Sequence, residues 1–256
     1  MKLHFRALGS GPPLVILHGP LGSLDNWMPM AQVFAAQFHV HLLDLRNHGQ
    51  SPHAPEFDYE VMARDLSAFL DAYSLAPTHL LGHSMGGKAA MRFAQLHPHA
   101  VRKLVVVDMS PRAYPVQFEP LLDAMLGLEL GSFQRREEVD SALQAAVPER
   151  VVRQFLLKNL GRDQSGRFHW KPNLASIRAN YDHVRGALPA DASFTGPALF
   201  VRGENSGYVR DEDMAEIRMM FPTVRFETIR GAGHWVHADA PGLLARAVID
   251  FLSAKT

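Results

Sequence analysis

Cysteine is absent from all 256 residues, which removes disulfides, thiolate metal ligands and a cysteine nucleophile together. No apolar stretch approaches the roughly 20 residues of a membrane span. Met1-Lys2-Leu3-His4-Phe5-Arg6 alternates in polarity where a secretion signal would carry an apolar core. The expectation is a soluble, unprocessed, cytoplasmic chain without stable membrane insertion. Net charge is lacking too, because 26 basic residues balance 26 acidic ones. No global field draws nucleic acid or an anionic surface, so neither is an expected partner. Repeats and low-complexity linkers are also missing. The chain does have 47% hydrophobic residues, enough at this length for one large core.

Short β-rich runs recur at Leu14–Leu17, Val40–Leu43, His79–Leu81, Leu104–Val107, Ala198–Val201 and Val224–Ile229. Between the early ones lie segments of helical period, with Met62, Leu66, Phe69 and Tyr73 on one face and Ala89, Ala90, Phe93 and Ala94 on another. Strand, helix, strand repetition predicts an α/β fold: a mostly parallel sheet with helices on both faces. Leu3 to Leu8 is expected to add an antiparallel edge strand. From about Arg112 to Thr195 the strand signal disappears and apolar residues recur only at helical spacing. The predicted organisation is a core of residues 1–111 and 196–256 with an inserted helical cap at 112–195, over the strand ends where ligands bind in open α/β sheets.

Gly82-His83-Ser84-Met85-Gly86 follows one of the strand runs and precedes a helical one. Gly-x-Ser-x-Gly at a strand-to-helix turn forms a sharp elbow, with the serine hydroxyl projecting from the sheet edge and small residues on both sides of it. Ser84 is therefore the candidate nucleophile. His234, in Gly231-Ala232-Gly233-His234-Trp235 after the last strand, is the candidate base, since an imidazole titrates near neutral pH and can both take and return a proton. Asp108, at the end of the strand Leu104–Val107, is the candidate carboxylate that orients the imidazole. His18-Gly19 follows the first long strand, at the loop that supplies one side of an oxyanion hole in this architecture.

Together with Asp44-Leu45-Arg46-Asn47-His48-Gly49-Gln50-Ser51 and Val107-Asp108-Met109-Ser110-Pro111, these segments resemble α/β-hydrolase-fold serine esterases, and most closely the small bacterial YbfF-type esterases. The resemblance covers nearly the whole chain. It implies the α/β-hydrolase fold and hydrolysis of carboxylic esters, or of acyl thioesters such as acyl-CoA, through an acyl-enzyme on Ser84. It also implies a small-molecule ester or thioester substrate and no metal or organic cofactor. An acyltransferase using the same three residues, and a ligand-binding protein on a hydrolase scaffold, are the competing readings.

The sequence departs from the common pattern at two points. Many α/β-hydrolases carry the acid after the next-to-last strand, where this chain reads Val201-Arg202-Gly203-Glu204-Asn205-Ser206 without an aspartate. Glu204 is the alternative acid, and the YbfF resemblance favours Asp108. The second departure is in the oxyanion loop. Met85 N–H is one expected donor, but the residue after His18-Gly19 is Pro20, which has no N–H. The expectation is a shifted loop that offers Leu21 N–H instead. His18, Pro20, His83 and Trp235 are expected around the substrate pocket, with the two histidines chiefly bracing their loops. The Asp44–Gly49 turn is expected to support the site, and Lys88 to be a structural cation. The spacing of His234, His237 and Asp239 does not match a zinc motif.

Overall fold

The computed structural model describes residues 1–116 and 118–255. Among these residues nine strands run in chain order: β1 Phe5–Leu8, β2 Pro13–Leu17, β3 His39–Leu43, β4 Thr78–His83, β5 Val101–Val107, β6 Leu160–Arg162, β7 Phe168–Trp170, β8 Ala198–Gly203 and β9 Val224–Ile229. Seven of them form one sheet in the order β1-β3-β2-β4-β5-β8-β9. Only β1 is antiparallel, pairing Phe5 with Leu43 and Leu8 with Val40. The predicted strands and the antiparallel edge are all present.

The two faces of the sheet follow from side-chain alternation along buried parallel strands. Val15 and Leu17 of β2 face one cluster, with Leu66 and Phe69 of the helix Tyr59–Tyr73 and Phe93 of the helix Met85–Leu96. Leu14 and Ile16 face the other, with Phe34 of the helix Met28–Phe34 and Val248 of the helix Pro241–Ser253. Each such side chain, fully buried, contributes about 1.5–3 kcal/mol from area removed from water. Asp58 caps the helix Tyr59–Tyr73 by accepting Val61 N–H at 2.8 Å.

The chain passes from β2 to β3 on one side, then crosses back to β4 on the other side of β2. The carboxyl ends of β2 and β4 thus flank the point where strand order reverses, which is where open α/β sheets bind ligands. His18-Gly19 leaves β2 there and Ser84 leaves β4 there.

Between β5 and β8 the chain forms the helices Glu119–Leu126, Arg136–Leu143, Arg150–Leu157, Leu174–Ala179 and Tyr181–Arg185. The expectation of helices alone needs correction, because β6 and β7 make a two-stranded hairpin here, with Leu160 opposite Trp170. Strands of three residues are too short to show a period. Their turn is chemically explicit: Asp163 accepts Ser165 N–H at 2.8 Å and Arg167 N–H at 3.0 Å, and Gly166 adopts φ 82°. Among the described residues, no helix is long and apolar enough to cross a membrane.

Candidate active site

The elbow after β4 is as tight as its glycines imply. A Cβ on Gly82 would lie 2.1 Å from the carbonyl oxygen of Gly86, and one on Gly86 would lie 2.5 Å from the carbonyl oxygens of Leu17 and His18. Ser84 between them is held at φ 54°, ψ −122°, a region costly for a residue with a side chain and typical of functional turns. This backbone turns the Ser84 hydroxyl out of the sheet and starts the helix Met85–Leu96 directly behind it. Met85 is the first residue of that helix, so its N–H has no intrahelical acceptor and carries the positive end of the helix dipole.

Three side chains from three strand ends meet here. Ser84 Oγ lies 3.0 Å from His234 Nε2, and His234 Nδ1 lies 2.7 Å from Asp108 Oδ2. Asp108 is fully buried and sits at φ 51°, a left-handed turn that swings it from the end of β5 under the histidine loop. Its Oδ1 accepts Gly203 N–H at 3.0 Å, and its Oδ2 also accepts the Ser206 hydroxyl. With acceptors only on its side, the carboxylate fixes the proton of His234 on Nδ1 and leaves Nε2 to accept from Ser84. The Tyr208 ring stacks on His234 with 3.8 Å between centroids and 17° between planes, covering one face of the imidazole.

Glu204, the alternative acid, is used elsewhere: its carboxylate accepts Gly231 N–H at 2.8 Å and braces the loop that carries His234. Sequence reasoning overlooked Ser206 and Tyr208. The signal for Ser206 lay in the loop after β8, where the customary aspartate is missing and a serine hydroxyl stands nearby.

Two expected placements are corrected. Leu21 N–H is not turned to Ser84; it donates to His48 Nε2 at 3.1 Å, and Leu21 is held at φ 53°. His18 borders neither of the two cavities beside Ser84 and His234. It is buried, with Nδ1 against Gly19 O at 2.7 Å and Nε2 accepting Leu45 N–H at 3.0 Å. Both His18 and His48 use one ring nitrogen as acceptor, and burial drives their pKa values down to about 4 and about 3, so both are neutral pins for the loop after β2. Asp44 completes the support, accepting Leu24 N–H and Gln50 N–H at 2.8 Å each.

The remaining expected pocket residues do line cavities. A narrow, almost wholly apolar cavity adjoins Ser84 and Met85, with walls that include Phe57, Tyr59, Met109, Tyr114 and Ile177. A wider one adjoins His234 and is lined by His83, Trp235, Trp27, Phe155, Arg150 and Lys158. Pro20 and Phe118 border both, so the Ser84–His234 pair stands at their junction. His83 Nε2 lies 2.9 Å from the His234 carbonyl oxygen, and burial, then the neighbouring His234 and His237, holds its pKa well below the ordinary value. A neutral His83 therefore adds no second positive charge beside His234. Among the described residues, no three His, Asp or Glu side chains are grouped to hold a metal ion.

Residues 12–146 match the family model described as the alpha/beta hydrolase fold. The chain belongs to that family. Within it, this α/β-hydrolase is 39% identical over 250 residues to the sn-1-specific diacylglycerol lipase ABHD11 of Mus musculus, covering 94% of this chain and 81% of the relative. It is 34% identical to Esterase YbfF of Escherichia coli, covering 99% of this chain and all of the relative. A solved marine microorganism esterase superposes with a TM-score of 0.95 at 39% identity, covering 98% of this chain and 99% of that one. The α/β-hydrolase described here is a serine hydrolase acting on carboxylic esters of small molecules.

Proposed function

We propose that Ser84, His234 and Asp108 hydrolyse carboxylic esters through an acyl-enzyme, with the acyl chain in the narrow cavity and the alcohol in the wider one. The observation that carries this reading is the unbroken line from Ser84 Oγ to His234 Nε2 and from His234 Nδ1 to Asp108 Oδ2, at 3.0 and 2.7 Å. Ser84 Oγ adds to the ester carbonyl carbon as its proton passes to Nε2. The imidazolium formed is stabilised by Asp108, and the carbonyl oxygen, now an anion, meets Met85 N–H at the helix N-terminus. Collapse breaks the bond to the leaving oxygen, or to sulfur in a thioester, and that atom takes the proton from Nε2. Water then gives a proton to Nε2 and its oxygen adds to the acyl carbon, releasing the acid and restoring Ser84.

The oxyanion hole of this reading has one backbone donor where two are usual. Pro20 has no N–H, and Leu21 N–H is committed to His48. Losing one such donor costs about 10²–10³ in rate on measured precedents, so the enzyme is expected to be slow on simple esters.

Residues 112–195 act in this proposal as a cap over the acyl side, since Tyr114, Phe118, Leu122, Ile177 and Tyr181 wall the narrow cavity. The nearly apolar walls favour hydrocarbon acyl groups over charged ones. A panel of p-nitrophenyl esters and acyl-CoAs of increasing chain length tests the reading. Turnover with a burst of nitrophenol and its loss in Ser84→Ala are expected. No turnover of any member would favour a binding protein, and turnover only with an added alcohol or thiol acceptor would favour acyl transfer.

A further inference from the structure

Lys88 lies one turn beyond Ser84 on the helix Met85–Leu96 and is fully buried. A buried ammonium is costly unless its protons are satisfied, and the hydrogen bonds of this one go to the main chain. Its Nζ donates instead to two main-chain carbonyls, Arg112 O at 2.7 Å and Gly186 O. The rings of Tyr114 and Tyr59 stand 4.9 and 5.9 Å from it, within cation–π range.

Those two carbonyls occupy a particular place. Where the insertion leaves and rejoins the core, its two ends run side by side: Leu188 N–H donates to Pro111 O at 2.9 Å and Tyr114 N–H to Arg185 O at 2.8 Å. Arg112 O and Gly186 O lie between these two bonds. Tyr59 OH adds a third tie, to Val184 O at 2.6 Å. Tyr59, Tyr114, Val184 and Arg185 all wall the narrow cavity.

We propose that Lys88 is a positioning residue for acyl selectivity, its ammonium drawing the two ends of the insertion together so that Tyr59, Tyr114 and Val184 hold the wall of the acyl cavity. This rests on the assignment of the acyl chain to that cavity. The helix that offers Met85 N–H to the reacting carbonyl thus also sets, one turn later, the width of the pocket for the chain attached to it. The group is poised to respond to pH. Burial, then the neighbouring Arg112, lowers the Lys88 pKa to about 7, with Glu216 opposing. The phenols that face it, Tyr59 and Tyr114, are held above their ordinary range by burial and stay neutral. Arg112 is itself paired with Asp213 at 3.0 Å. Deprotonated Lys88 keeps its N–H donors but loses its attraction to the ring faces and much of the strength of both hydrogen bonds.

The test compares p-nitrophenyl octanoate with p-nitrophenyl acetate. Lys88→Met is expected to lower kcat/KM for octanoate about tenfold, mainly through KM, and for acetate less than threefold. In the wild type the octanoate-to-acetate ratio should fall about threefold between pH 6 and 8.5, the ratio removing any pH effect common to both esters. Equal losses on both esters in the variant, or a wild-type ratio flat with pH, would overturn the assignment. If Lys88→Met does not fold, the wild-type ratio alone decides. Failure of the wild type to hydrolyse either ester would remove the acyl-cavity reading and this inference with it, and is distinguished from a Lys88 failure by that missing turnover.

Discussion

The N–H of Leu21 donates to Nε2 of His48 across 3.1 Å, and this bond settles the geometry of the loop after β2. His48 can accept because its Nδ1 lies 2.9 Å from Arg46 O and carries the ring proton. The bond keeps Leu21 turned toward the Asp44–Gly49 turn, and Pro20 stands on the same cavity as Ser84 with no N–H to offer. A loop shifted to present Leu21, the expectation from sequence, would have to break this bond and leave His48 Nε2 buried without a partner, at about 1–3 kcal/mol.

Pro20→Leu restores an N–H at the position after Gly19. It is expected to raise kcat on p-nitrophenyl esters at least tenfold, toward the 10²–10³ attributed to one oxyanion donor, with little change in KM. A variant no faster than the wild type would mean that another group already fills the role.

Asp108→Asn and Glu204→Gln separate the two candidate acids. The amide at 108 disturbs the tautomer that His234 needs, and kcat is expected to fall by about 10⁴ by analogy with the serine protease triad. Glu204→Gln should keep turnover within a few fold and lower Tm slightly, because the Gly231 tie is weakened. Steady-state kinetics on purified variants, with thermal melts, would reverse the assignment if the two results were exchanged.

Ser206 and His234 share one oxygen of Asp108. Ser206→Ala removes a hydrogen bond to a charged group, a contribution of about 1.5–3 kcal/mol when intact. The carboxylate then keeps only Gly203 N–H and His234 as partners, and its hold on the imidazolium changes. A fall in kcat of about tenfold is expected, with the acid limb of the kcat/KM profile displaced, while Tm moves little. An unchanged profile together with unchanged kcat would reduce Ser206 to packing.

Acidification should unfold the enzyme through its buried neutral histidines. His18 falls from 6.5 to about 4 on burial and His48 to about 3. Between those values and 6.5 the unfolded chain binds protons that the folded chain does not, so stability rises with pH in that window and is lost as pH falls through it. The His18 shift alone corresponds to about 3 kcal/mol if fully expressed. Denaturant midpoints measured from pH 7.5 to 4 should therefore decline steadily below about pH 6.5. A flat profile would mean that these rings are protonated in the folded protein.

The strands, their mostly parallel pairing and the elbow were legible in the sequence because each is a local pattern. Short β-rich runs alternate with helical periods, and Gly82 and Gly86 stand where any Cβ would strike the backbone packed around Ser84. The order of Ser84, Asp108 and His234 along the chain was legible for the same reason, since each follows a recognisable strand. The resemblance favoured Asp108 as the partner of His234, while the residues by themselves left Glu204 open. Whether His234 turns to Asp108 or to Glu204 depends on how the loops after β5 and β8 cross in space. The donation from Ser206 to the Asp108 carboxylate and the capture of Leu21 N–H by His48 join residues far apart in the chain, and the positive φ of Asp108 has no local sequence signal. The hairpin of β6 and β7 escaped because three residues carry no period.

The amino-acid sequence by itself determined the class of chemistry, because a hydroxyl on a glycine-flanked elbow, an imidazole and a carboxylate have fixed capacities for attack and proton transfer. Only the tertiary structure brought Asp108 to His234 Nδ1, turned Glu204 to Gly231 N–H and gave Leu21 N–H to His48. It also decided that Lys88 is spent on Arg112 O and Gly186 O. Hydrogen bonds between distant residues depend on distance and direction, and only the packed fold supplies both.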